Sequence, residues 1–308
     1  MDESTEYILS LEMLGPFQLK IRGEFIPVES WKSHKALQLL KYLAARYEEK
    51  IPSDVLIDLL WTDKDYQAAR ANLHSTVYLL RKNLKTSGVD SSNQNWIRSS
   101  NNLYWLATSP ALYLDLRHFN ALYRQSEKLE AQDPQTSLQV SLQALELYRS
   151  GFLAEDLYLE WASPFREHYQ NCYMQLVTHT CRLLLEHKQD FKRTAHICRT
   201  ALRHEPCRED MHRILMQCLI SQGRFPEAVL QYQHCSGLLR DEFGLEPSSE
   251  TKALFEKVPT SFSFLQEVNE QTPCKQAALE AALISAKTHL QKTKQPLTLL
   301  IIELEQSV

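Results

Sequence analysis

The chain has 308 residues, 44% of them hydrophobic and 23% charged, the composition of a globular protein long enough for two domains. Its formal net charge of -4 gives the molecule as a whole no basic balance, and no apolar run approaches the ~20 residues a membrane helix needs. The seven cysteines form no Cys-x-x-Cys pair, and the N-terminus lacks a basic region followed by an apolar run, so a reduced, cytoplasmic protein with no membrane partner is expected.

In chain order, Tyr7 to Leu14, Phe17 to Ile21 and Glu24 to Val28 are short apolar or alternating runs broken by Gly15-Pro16 and Arg22-Gly23, which predicts a small antiparallel meander. A helix follows around Ser33 to Arg46 with Leu37, Leu40 and Leu43 inward. Pro52-Ser53-Asp54 starts a second, with Ser53 as N-cap and Asp54 in the positive first turn.

A third helix, Tyr66 to Lys85, is the stretch around which the N-terminal part is organised. At 3.6 residues per turn, Tyr66, Leu73, Val77, Leu80 and Leu84 form one apolar stripe that asks for a core. The opposite side collects Ala71, Ser75, Tyr78 and Lys82, with His74, Arg81 and Lys85 on one shoulder and Leu79 on the other. Small residues suit a groove floor and Arg or Lys suit phosphate; an ordinary solvated face would look similar. Between Arg70 and Arg98 five basic residues (Arg70, Arg81, Lys82, Lys85, Arg98) face a single acidic one, Asp90, a local excess of positive charge in an otherwise acidic chain. Trp96-Ile97-Arg98 and Leu103 to Leu106 flank Ser99 to Asn102, whose Asn-Asn centre tolerates positive φ, so a β-hairpin is expected there. Strands, three helices and a hairpin in that order describe a winged helix-turn-helix.

From Leu114 to about Phe255 everything reads as helix, in keeping with only seven glycines in the chain. At an offset of 34 residues Leu185 maps to Leu219, Phe191 to Phe225, Leu184 to Cys218, and Gln189-Asp190 to Gly223-Arg224. That period is the one of tetratricopeptide helical hairpins, with Leu219 and Phe225 expected in the core of the last hairpin. Stacked hairpins make binding surfaces. His and Cys fall close together at His179/Cys181, His196/Cys198, His204/Cys207 and His234/Cys235, but such neighbours point to different helix faces and no zinc spacing is present. No metal, no cofactor and no enzyme activity are expected, since no Gly-rich nucleotide loop and no nucleophile and base pair stand out.

These residues resemble the Streptomyces antibiotic regulatory protein family, an OmpR-type winged helix followed by a bacterial transcriptional activation domain. The resemblance runs from about Leu11 to Lys257. It rests on SHKALQLLKYLA (33–44), VLIDLLW (55–61) and AARANLHSTVYLLRKNL (68–84), then ALELYRSGFLAE (144–155), EWASPFREHY (160–169), MHRILMQCLISQGRFPEAVLQY (211–232) and LLRDEFGLEPSSE (238–250). It implies a mainly α chain with a small β component: a winged-helix domain at 1–109, a tetratricopeptide-like activation domain at 110–258 and a linker at 259–271. It also implies a transcription activator that binds direct repeats of promoter double-stranded DNA and contacts RNA polymerase, with a second copy of the chain left open as a partner. The family's recognition helix matches Arg70 to Lys85, which makes Arg70, His74, Ser75, Tyr78, Arg81 and Lys82 the DNA-facing set, with Lys85 and Arg98 from the charge pattern. Leu79 departs from the family, where an Arg is common at that place.

A shorter resemblance covers 272–308, CKQAALEAALISAKTHLQKTKQPLTLLIIELEQSV from Cys274, which is similar to the opening helix and first strand of a GGDEF (diguanylate cyclase) domain. Glu303 would stand in the metal-binding Asp's place, and no signature loop follows. An amphipathic helix and one strand without further meaning, at 297–302, remains open beside it. The leading expectation is a DNA-binding regulator. The alternative is a signalling scaffold that regulates an attached or partner cyclase without binding DNA.

Overall fold

A computed structural model describes residues 7–28, 31, 33–63, 65–85 and 95–259, so the tail at 272–308, with its GGDEF-like resemblance and its strand, lies outside the described residues. The chain is mainly helical with two small sheets, and it forms two compact units, 1–180 and 181–308. The expected boundary at 109/110 falls inside the first unit. No helix among the described residues is long and apolar enough to cross a membrane.

The first unit opens with β1 (Leu9–Glu12), β2 (Gln18–Ile21) and β3 (Glu24–Phe25). Arg22 and Gly23 both take positive φ (50° and 79°), the two-residue turn that matches strand twist. The expected three-stranded meander is present but incomplete. Later in the chain β7 (Leu112–Leu114) adds to it in parallel with β1, pairing Leu9 with Leu112, so the sheet order is β3-β2-β1-β7. A parallel partner from a hundred residues away leaves no local sequence signal.

Helix α1 (His34–Ala45) is capped by Ser33, whose hydroxyl accepts from the Ala36 N–H at 3.2 Å. Leu40 and Leu43 are buried as expected, whereas Leu37 is half-buried. A two-residue strand, β4 (Ile51–Pro52), leads into α2 (Ser53–Leu60). Pro52 is the N-cap there and Ser53 is already helical, so the cap assigned to Ser53 is corrected: its hydroxyl donates to Asp54 Oδ1 at 3.2 Å, not to the helix backbone. The backbone N–H of Ser53 is taken by the Asn102 carbonyl (2.8 Å), which pulls Ser53 toward the hairpin. Helix α3 (Tyr66–Lys85) packs on α1 and α2, and β5 (Ile97–Ser100) with β6 (Leu103–Leu106) closes the second sheet in the order β4-β6-β5. Asn101 and Asn102 both have positive φ, 50° and 59°, so the turn is the two-residue Asn-Asn pair alone.

The same unit continues through α4 (Asp115–Leu129), α5 (Pro134–Leu147) and all but the last three residues of α6 (Ser163–Leu183). Asp115 ties its first strand to its helices. This buried carboxylate accepts from the N–H groups of Met13 (2.6 Å) and Leu14 (2.7 Å), and from that of Leu116 (2.8 Å). Burial nevertheless pushes its pKa up to about 6, with the three N–H bonds opposing that shift. Asn120 donates to the hydroxyls of Tyr47 (3.3 Å) and Tyr169 (3.2 Å), and the Tyr169 ring stacks on Phe152 and meets Phe119 edge-on. Lys41 on α1 meets Asp156 at 2.5 Å, and Leu153 N–H reaches the Met13 carbonyl. Winged helix and first helices therefore share one core.

In the second unit α7 (Phe191–His204), α8 (Glu209–Ser221) and α9 (Phe225–Phe243) run as packed hairpins followed by α10 (Ser249–Phe255). The 34-residue correspondence is visible in the backbone. Gln189 (φ 48°) and Gly223 (φ 72°) both enter the left-handed region, and Asp190 and Arg224 both stand at helix N-caps. Leu184, Cys218 and Leu219 are buried. Phe225 is only half-buried, as Phe191 is, so the expectation of a fully buried Phe225 is corrected: the first residue of each helix sits at the rim of its hairpin. At the far end Gly244 (φ 65°) closes α9 with Gly244 N–H to Arg240 O and Leu245 N–H to Leu239 O. Glu209 accepts from both the N–H (2.7 Å) and the hydroxyl (2.6 Å) of Ser248, which ties that closing turn back to α8.

Candidate nucleic-acid interface

Helix α3 begins on Asp65, whose Oδ2 accepts from Gln67 N–H at 3.0 Å and more loosely from Ala68 N–H at 3.4 Å. One residue on, the Tyr66 hydroxyl donates to Asp54 Oδ1 (2.8 Å) and links α2 to the start of α3; that bond raises the phenol pKa. Tyr66 is 46% exposed, which corrects its place on the inward stripe. A polar partner on α2 holds it where the apolar pattern alone would turn it inward. The rest of the stripe is as expected: Leu73, Val77, Leu80 and Leu84 are buried, joined by Ala69 and Thr76.

The other side of α3 is open. Arg70, Ala71, His74, Ser75, Tyr78, Leu79, Lys82 and Lys85 are all exposed, Tyr78 at 67% and Leu79 at 40%. Ser75 Oγ donates to the Ala71 carbonyl one turn back (3.1 Å), which directs its lone pairs outward. This face thus combines the small Ala71 and Ser75 and a row of cations with two large exposed side chains, Tyr78 and Leu79.

Arg81 behaves differently from its neighbours. It is half-buried, and its guanidinium donates to the hairpin twice, from Nε to the Ile97 carbonyl and from Nη2 to Ser99 Oγ, both at 2.9 Å. One side chain thereby sets the spacing between α3 and β5. Arg98 lies elsewhere again. Ile97 and Leu106 are buried, so their neighbours Arg98 and Trp105, paired across the strands, take the sheet face turned away from α3. The structure thus brings Arg70, His74, Ser75, Tyr78, Lys82 and Lys85 onto the open side of one helix, makes Arg81 a bridge to the wing, and separates Arg98 from them. The strand alternation of Ile97 and Arg98 carried the signal for that separation. An Asp directly before the helix is itself a signal for the helix-start role of Asp65, whereas nothing in the sequence marked the two hydrogen bonds of Arg81 to the hairpin.

Residues 114–259 match the model of the bacterial transcriptional activator domain. Over 93 residues, 30% of this chain and 29% of the other, the sequence is 29% identical to the transcriptional regulatory protein MoaR1 of Mycobacterium tuberculosis. Over 87 residues, 28% of this chain and 22% of the other, it is 33% identical to the transcriptional regulatory protein EmbR of the same organism. The matched part thus spans less than a third of these curated relatives. A solved structure of Mycobacterium tuberculosis EmbR in complex with a low affinity phosphopeptide superposes with a TM-score of 0.66, covering 94% of this chain and 72% of that one at 22% identity. It shares the fold. Residues 114–259 are thus similar to the bacterial transcriptional activator domain, and part of the chain is similar in sequence to the MoaR1 and EmbR transcriptional regulators.

Proposed function

We propose that this protein is a sequence-specific, DNA-binding transcriptional activator of the Streptomyces antibiotic regulatory protein type. The observation that carries the reading is the division of α3. Its apolar stripe is consumed by the core, while a small, polar and cationic face stays open beside a hairpin braced by Arg81. An α-helix offering Ala71 and Ser75 to a groove floor and Arg70, Lys82 and Lys85 to flanking phosphates fits the major groove of a duplex. Names of homologous transcriptional regulators and the activator-domain match support the same direction.

On this reading Arg70, His74, Ser75, Tyr78, Lys82 and Lys85 face DNA directly and Arg81 acts by holding the wing. The organisation is a DNA-binding domain at 1–109, an activation domain at 110–258 that contacts RNA polymerase, a linker at 259–271 and a separate tail at 272–308. Binding to promoter direct repeats would place copies side by side. A mobility-shift titration at two salt concentrations tests the reading, because phosphate-driven binding weakens steeply with salt. Affinity that ignores salt, or no binding to any duplex, would turn the reading toward a scaffold that does not bind DNA.

A further inference from the structure

The sheet face turned away from α3 carries a second concentration of positive charge. Arg98 and Trp105 stand there side by side, and with Tyr47, Lys50 and Arg117 they wall a cleft of about 440 Å³. The three cations come from three separate places: Arg98 from β5, Lys50 from the turn after α1, and Arg117 from the first turn of α4. Lys50 Nζ lies 4.9 Å from the Trp105 ring centroid, a cation–π contact that keeps the ammonium beside the cleft. Glu48 and Glu49 also line it, but the Glu49 carboxylate is engaged by Arg46 at 3.0 Å. Against these three cations stands the Glu48 carboxylate beside Tyr47, so the lining keeps a net positive charge that an anion would balance.

We propose that this cleft binds a small, multiply charged phosphate-bearing anion, gripped by Arg98 and Arg117 with Lys50 as the third cation. The volume falls within the ~300–1,000 Å³ of small-molecule sites. Guanidinium forks match phosphate oxygens in geometry as well as charge. A free compound is favoured over the DNA backbone because Arg98 and Trp105 take the sheet face turned away from α3. The inference is independent of the DNA-binding reading, since none of its residues lies on the open face of that helix.

Isothermal titration of inorganic pyrophosphate into the full chain, at constant ionic strength, tests it. One saturable site is expected, weakened at least tenfold by Arg117→Gln and by Arg98→Gln, partly recovered by Arg117→Lys, and unchanged by Arg70→Gln. Both Arg positions are exposed, so melting temperatures should stay at the wild-type value; if one variant melts early, the other carries the comparison. No saturable binding, wild-type affinity in both cleft variants, or loss of binding in Arg70→Gln would each overturn the proposal. A mobility shift with Arg117→Gln separates the source of phosphate. An unchanged salt slope supports a soluble ligand, whereas a slope reduced by ~0.9 would make the cleft a DNA-backbone contact and end the small-ligand proposal.

Discussion

Replacing Arg81 by Ala removes both bonds that join α3 to the hairpin, Nε to the Ile97 carbonyl and Nη2 to Ser99 Oγ, each 2.9 Å long. A hydrogen bond from a charged donor contributes roughly 1.5 to 3 kcal/mol where it is buried. Ser99 is exposed and Arg81 half-buried, so solvent screening lowers the second bond to well under 1 kcal/mol. About 2 kcal/mol of anchoring for the wing is a fair total, or about a thirtyfold shift toward the undocked hairpin. Hydrogen exchange reads this directly: amides of β5 and β6 should exchange ten- to thirtyfold faster (~1.4 to 2 kcal/mol), while those of the α3 interior hold their rates. DNA affinity should fall because the wing is misplaced, yet the slope of log affinity against log salt should stay near the wild-type value. A direct phosphate contact behaves in the opposite way, lowering the slope by ~0.9 for the ion no longer released. Arg81→Lys keeps the charge without the planar fork and should resemble Arg81→Ala. Unchanged hairpin exchange together with a reduced slope, or full rescue by Lys, would refute the bracing role.

Lys82→Ala and Arg70→Ala, both on the open face of α3, should lower the salt slope by ~0.9 each or, for a base contact, cost ~1 to 3 kcal/mol on one sequence only; no change in either variant would remove α3 as the reading head. Leu219→Ala should cost ~2 to 5 kcal/mol, because Leu219 is fully packed, whereas Phe225→Ala should cost less than the ~3 to 5 kcal/mol of a buried Phe, since it sits half in solvent; urea unfolding of the full chain ranks the two. Asp115, pushed up to about 6 from 3.8, is bound to its proton more tightly in the folded chain than in the unfolded one. Its contribution to stability therefore falls as pH rises from about 4 through about 6 and is flat above, a change of up to about 3 kcal/mol. Asp115→Asn should remove that component of the pH dependence, and should also lower stability at acidic pH because its amide group would face the Leu116 N–H. An unchanged difference in unfolding free energy between about pH 4 and pH 7 would show that Asp115 does not titrate there.

Periodicity alone settled much of this protein. The buried stripe Leu73, Val77, Leu80 and Leu84, the Asn101-Asn102 turn and the matched left-handed residues Gln189 and Gly223 are consequences of local rules. Apolar spacing decides which helix face is covered, and a two-residue hairpin demands positive φ wherever it occurs. For the same reason the open face of α3 is legible in the sequence, since it is what remains once the core has taken its stripe. Interactions across long stretches of chain were not legible. The parallel pairing of β7 with β1, Asp115 reaching the backbone of Met13 and Leu14 from about a hundred residues away, and Lys41 meeting Asp156 join the winged helix to the first helices, and no pattern within either segment announces them. Charge was the least transferable signal. Arg70, Arg81 and Arg98 look alike in a count of basic residues, but one faces solvent, one is bound to the wing and one lines a cleft on the far side of the sheet. A guanidinium's role is set by the acceptors within reach of its long side chain, and only the tertiary structure places those acceptors.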